Sequence, residues 1–155
     1  MSGASLPRRS VLVGCSVLLV TGFALGHGGG AAAEMVDAPG GLALGGYDVV
    51  AYFTDDKPVR GLAEFASVFQ SVTYRFRSAA NRDRFLADPL RYLPAYGGYS
   101  AYGVANGVLA PGDPEQFAIV EGRLYVNFSK SVHSQWLRDP AFYIARADQN
   151  WLTLR

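Results

Sequence analysis

Two short strand-like stretches, each turned back on itself by two residues, constrain this chain more than any other feature. Phe117-Ala118-Ile119-Val120 and Arg123 to Phe128 flank Glu121-Gly122. Upstream, Phe65, Ser67 and Phe69, then Val72, Tyr74 and Phe76, alternate with their neighbours on either side of Gln70-Ser71. A period of two marks a strand, and a two-residue connection joins only antiparallel neighbours. Parallel sheets need long crossover connections, which these turns do not supply.

Helix signals surround the hairpins. Ser78 is placed to cap Ala79 to Ala87, which carries Phe85 and Leu86 on an otherwise charged segment. Ser129 caps a helix with Val132 and Trp136 on one face. Asp88-Pro89, Asp113-Pro114 and Asp139-Pro140 read as three further helix starts, with Asp as cap and Pro in the first turn. The last helix is expected from Pro140 to about Ala147, with Trp151 and Leu154 tucking the tail down. Tyr47 to Phe53 reads either as a helical turn capped by Asp48 or as a strand through Val49 and Val50. No repeat or low-complexity tract is evident. The expectation is an α+β fold: a small single domain of two β-hairpins packed with several short helices, preceded by a signal peptide.

That signal is read over residues 1–33. Arg8 and Arg9 precede an apolar run from Val11 to Leu25, and Ala31-Ala32-Ala33 ends it. A charged start, an apolar middle and small residues at the end are the layout of a secretory signal, and the paired arginines are twin-arginine-like. Export to the periplasm with cleavage after Ala33 is expected. The apolar stretch before Cys15 is too short for a lipoprotein signal, and the whole run is short for a bilayer span. Residues 34–43 read as a flexible leader and 44–154 as the domain.

Cleavage changes the chemical inventory. Cys15 and His27 are removed, leaving no thiol and His133 alone among imidazoles. Loss of Arg8 and Arg9 takes two from 14 basic residues against 13 acidic ones, so the mature chain is close to neutral. Nothing in that balance attracts nucleic acid, and no membrane span remains in the mature form. Without a thiol there is no disulfide, no thiolate metal ligand and no cysteine nucleophile.

Several motifs carry a resemblance. Val72 to Pro94 (VTYRFRSAANRDRFLADPLRYLP), with Tyr74, Phe76, Ser78, Phe85, Asp88-Pro89 and Tyr92, resembles the YHS domain, a module related to TRASH-type metal-binding domains. GGYDVVAYF, YGGYSAYGVANG, GRLYVNF and ADQNW are similar to its exported, stand-alone branch, and the likeness spans about Leu44 to Leu154. The resemblance implies a periplasmic binding or accessory role linked to metal handling. It also implies cysteines where this chain has Arg77, Asn81 and Ser100. An arginine cannot ligate a cation, so the thiolate chemistry of the family is absent at those places.

The candidate ligand site is Tyr47, Asp48, Tyr52, Tyr96, Tyr99, Ser100, Tyr102 and Asn127. Two readings of the tyrosines stand: a small pocket with hydroxyls at its rim, or an aromatic core whose phenols reach carbonyls. His133 is the weak metal candidate, with carboxylates such as Asp48 or Asp113, and no cofactor beyond a weakly held metal ion is expected. Gly98-Tyr99-Ser100-Ala101-Tyr102 approaches the G-x-S-x-G elbow, with Ser100, Asp113 and His133 in hydrolase order. Tyr102 replaces the last Gly, hairpins do not build that fold, and Asp113 has a simpler task beside Pro114. Arg75, Arg77, Arg82 and Arg84, interleaved with Asp83 and Asp88, read as a solvated face. The expectation is a non-enzymatic binding module whose partner is a small ligand or a periplasmic protein. A protein-interaction module without a small-molecule site is the alternative.

Overall fold

The computed structural model describes residues 35–155. The signal read over 1–33, with Arg8, Arg9, Cys15, His27 and the cut after Ala33, lies outside the described residues. The described chain is α+β and contains two antiparallel two-stranded sheets.

Strand β1 (Leu62–Phe69) pairs with β2 (Val72–Phe76), and β3 (Asp113–Val120) with β4 (Arg123–Asn127). Both turns take positive φ at both residues: 49° and 66° at Gln70-Ser71, 50° and 74° at Glu121-Gly122. That geometry matches the twist of the strands it joins. Each hairpin then slips register at an equivalent place, between Leu62 and Ala66 and between Asp113 and Phe117.

Among the described residues, six α-helices accompany the sheets: α1 (Ala51–Thr54), α2 (Ala79–Ala87), α3 (Pro89–Tyr92), α4 (Ala101–Ala105), α5 (Lys130–Trp136) and α6 (Pro140–Leu154). Ser78 Oγ accepts from Asn81 N–H and Ser129 Oγ from Val132 N–H, as their positions in the sequence indicate. Asp139 caps α6 by accepting from Phe142 N–H at 3.0 Å. Tyr47 to Phe53 resolves as helical, because Asp48 Oδ1 accepts from Val50 and Ala51 N–H and starts a turn.

Three expectations need correction. Asp113-Pro114 does not start a helix. It opens β3, where a proline sacrifices no ladder bond, and Asp113 Oδ1 instead accepts from Glu115 N–H at 2.9 Å. Helix α6 does not stop near Ala147 but runs to Leu154, because Ile144, Ala147, Trp151 and Leu154 form one stripe packed on the second core. Third, the chain does contain a repeat.

The order helical turn, short helix, hairpin, helix, Asp-Pro helix occurs twice. Gly45-Gly46-Tyr47-Asp48 matches Gly97-Gly98-Tyr99-Ser100. After a connection one residue shorter in the second half, Tyr74 matches Tyr125, Ser78 matches Ser129, Phe85 matches Trp136, and Asp88-Pro89 matches Asp139-Pro140. The backbone agrees in detail. Leu44 and Tyr96, both non-glycine, take φ of 45° and 54° in the turns before each motif. Isolated bridges also correspond: Leu42 to Thr73 and Pro94 to Leu124, Tyr47 to Arg60 and Tyr99 to Pro111.

The hydrophobic interior divides accordingly. The first core gathers Leu44, Val49, Val50, Tyr52, Tyr74, Phe76 and Phe85. The second gathers Tyr96, Ala101, Val104, Tyr125, Trp136, Ala147 and Trp151. The β3–β4 hairpin serves both: Phe117, Ile119, Leu124 and Val126 face the first, while Ala118, Val120 and Tyr125 face the second. Residues 35–43, expected as a flexible leader, make defined contacts. Asp37 N–H donates to Gly97 O, and its carboxylate accepts from Gly112 N–H.

Candidate functional site

Asp48 and Ser100 occupy equivalent positions, and both are fully buried. Asp48 Oδ1 takes Val50 N–H at 2.9 Å and Ala51 N–H at 3.3 Å. Its Oδ2 takes Arg77 N–H at 2.9 Å and the Asn81 amide at 2.8 Å. Ser100 Oγ takes Gly103 N–H at 3.3 Å and Phe128 N–H at 3.1 Å. In each half, then, one buried side chain ties the Gly-Gly-Tyr turn to the strand-to-helix corner. Arg77 and Phe128 are the equivalent corner residues.

Asn127 extends this knot in the second half. Its Oδ1 accepts from Tyr102 N–H at 3.0 Å, and its Nδ2 lies 3.1 Å from His133 Nδ1. With Nδ2 as donor, His133 is a neutral ring protonated on Nε2. Burial lowers the His133 pKa from 6.5, which also favours the neutral ring. Ser100 and His133 share no hydrogen bond among the described residues, and the Asp113 carboxylate is occupied by Glu115 N–H. The arrangement therefore lacks the nucleophile-to-base contact that serine chemistry uses.

The tyrosines do not converge on one cavity. Tyr47 donates to Glu115 Oε1 at 2.6 Å, which raises the pKa of its hydroxyl. Tyr52, in the first core, donates to Pro114 O and is shifted upward mainly by burial. Tyr96 donates to Asp148 Oδ1 at 2.8 Å; burial and then that bond raise its pKa. Tyr99 packs on Trp151, and Tyr102 packs on Tyr143 with rings 5.1 Å apart. The structure thus brings Ser100, Tyr102, Asn127 and His133 together. It sets Tyr47 and Tyr52 against the start of β3 and places Tyr96 by the last helix.

Among the described residues, no three His, Cys, Asp or Glu side chains gather so as to hold a metal ion. At the places where a YHS resemblance implies cysteines, Arg77 pairs with Asp55, the Asn81 amide donates to Asp48, and Ser100 accepts two N–H groups. These side chains do not fit a thiolate-held metal. Among the described residues, no helix is long and apolar enough to cross a membrane.

A recess of about 300 Å³ opens elsewhere. Gln70 and Tyr74 of the first hairpin, Gly122 and Arg123 of the second, Arg91 and Trp151 contribute to its wall, and of the sequence-predicted residues it contains Tyr96 alone. No local motif signals it, because it forms only when two hairpin tips meet the α3–α4 connection and α6. Two glycines permit close packing. A Cβ on Gly61 would lie 2.4 Å from Arg75 backbone atoms, and one on Gly112 would lie 2.2 Å from Gly98 O.

Comparison of the chain with protein-family models, with curated proteins and with solved structures found no match.

Proposed function

We propose that this protein is a non-enzymatic, exported accessory domain of YHS type that binds a small ligand without covalent chemistry. One observation carries the reading. The side chains that could do chemistry in the family-like motifs are spent on holding the backbone, while an open recess lies apart from them. Asp48 accepts four hydrogen bonds and Ser100 two, and both side chains are sealed from solvent. A buried acceptor already saturated by N–H groups stabilises a fold and is poorly placed to attack a substrate.

The test is turnover by the purified protein, recovered after expression of the full chain. Activated esters are the probe, with Ser100→Ala and His133→Gln as comparison variants. No hydrolysis that depends on Ser100 or His133 is expected. Ester cleavage abolished by Ser100→Ala in a variant that still folds would overturn the reading. Calorimetric titration with copper and zinc completes it: the expected result is no stoichiometric sub-micromolar binding, and finding such binding would restore a metal role.

A further inference from the structure

We infer that the recess between the two hairpin tips is a binding site for a flat organic anion, an aromatic carboxylate in chemical class. This rests on the non-catalytic binding reading above and specifies its ligand.

Charge selects the class. Two arginines, Arg91 and Arg123, line the recess, and no acidic residue does. Arg91 forms no ion pair among the described residues, and its guanidinium lies 5.7 Å from the Tyr92 ring centroid. Arg123 meets Asp148 at 3.7 Å, but both side chains are about half exposed, at 51% and 49%. An ion pair that long and wet holds its arginine weakly. Asp148 has a shorter bond besides, from the Tyr96 hydroxyl. Two guanidiniums are therefore available to an incoming carboxylate, with the fork geometry that suits it.

Shape and lining select the flat body. Tyr74, Tyr96 and Trp151, all nearly buried, are among the residues that line the recess. Arg123 lies 5.9 Å and 5.4 Å from the centroids of Tyr96 and Tyr125, which orients its planar head. A volume near 300 Å³ is at the small end of ligand cavities and suits a single substituted ring.

The internal repeat supplies a control within the same chain. Residues that the fold requires recur: the Gly-Gly-Tyr turn, the Ser caps, the Asp-Pro starts. The residues that give the recess its chemistry do not recur. Arg123 corresponds to Val72, Arg91 to Phe142 and Tyr96 to Leu44, and Trp151 lies beyond the stretch that has a counterpart. The repeat unit folds without arginines at those positions, so folding alone does not account for the two guanidiniums, whereas Tyr96 and Trp151 also serve the second core.

Titration with benzoate, followed by backbone and indole NMR signals, tests the assignment, with the neutral isostere benzamide as control. Saturable shifts are expected at Gly97, Gly122 and the Trp151 indole with benzoate and not with benzamide. Arg91→Gln and Arg123→Gln each should weaken benzoate by about tenfold, the size of one charge-assisted bond. Both side chains are exposed, so the variants retain the fold, and unchanged melting temperatures verify this. Three results would overturn the assignment: no saturable shift at millimolar benzoate, equal binding of benzamide, or full binding by the double variant. None of these touches the non-catalytic reading, which fails only if Ser100- or His133-dependent turnover or tight metal binding appears.

Discussion

Replacing Asp48 probes the repeat and the buried knot together. Its carboxylate is fully buried and accepts four N–H bonds, two on each oxygen. Bonds to a charged acceptor contribute about 1.5–3 kcal/mol each, and the cost of burying the carboxylate offsets a large part of their sum. Asp48→Ala strands four donors at once, and with that offset a cost of about 3–5 kcal/mol is expected. Asp48→Ser installs the second half's solution. By analogy with Ser100, its hydroxyl can take Ala51 N–H and Arg77 N–H, leaving Val50 N–H and the Asn81 amide unpaired. A cost of about 2 kcal/mol is expected, since two donors are lost rather than four.

The sharper test adds Asn81→Val, because Val132 occupies the position equivalent to Asn81. In the Asp48→Ser background that change removes an orphaned amide. In the wild-type background it removes a bond to a carboxylate. The two substitutions should therefore couple by about 1 kcal/mol or more, with the double variant more stable than the sum of the singles predicts. Urea denaturation monitored by Trp136 and Trp151 fluorescence measures all four proteins. The reasoning fails if Asp48→Ala costs less than about 1 kcal/mol, or if the two substitutions simply add.

Three further outcomes are expected. Gly112→Ala should destabilise by about 2 kcal/mol or more, because its Cβ would meet Gly98 O at 2.2 Å and Val126 Cγ2 at 2.4 Å; thermal melts measure this. Trp136→Phe should stay within about 1 kcal/mol of wild type, since the buried indole N–H has no partner among the described residues and Phe fills the equivalent place at Phe85. Trp136→Ala, by contrast, should cost about 3–5 kcal/mol. Burial lowers the His133 pKa from 6.5, so the folded state favours the neutral ring. The stability it contributes is present above pH 6.5 and is lost as pH falls toward the lower folded value. His133→Gln should flatten that acid limb in denaturation curves collected across pH.

The elements legible in the sequence are those set by local chemistry. Both hairpins could be read because alternation, in the first, and two-residue turns, in both, act within a few residues. The Ser78 and Ser129 caps were readable for the same reason. Asp113-Pro114 misled because Asp-Pro suits two local structures: a helix start, and a strand opening where Asp accepts a nearby N–H. The length of α6 was hidden by Asp148, Gln149 and Asn150, a polar run between buried positions. Asn150 in fact donates to Val104 O and Ala105 O at the end of α4. The repeat escaped notice because core residues diverged, Phe85 against Trp136 and Leu44 against Tyr96, while the equivalent polar knots use Asp48 in one half and Ser100 in the other. The recess could not be read at all, since its wall draws single residues from distant segments.

The two halves share a pattern but not an environment, and the difference explains where the chain departs from its own repeat. Leu124 and Val126 are buried against the first core, whereas Thr73 and Arg75, their equivalents, are partly exposed, and Val68 is 67% exposed. A unit that packs one face of its hairpin on itself and offers the other to a neighbour leaves an open face at each end of the series. In the first half that face carries Thr73 and Arg75 beside the exposed Val68. Helix α1 rests on β3–β4 through Tyr52 and Phe117, rings 4.8 Å apart. Helix α4 instead meets α6, with Tyr102 against Tyr143 and Val104 and Ala105 in one core with Ala147 and Trp151. The 15 residues of α6 against four in α3 let it cover α4. That same extension brings Trp151 to the recess, so the device that closes the fold also supplies a wall of the proposed site.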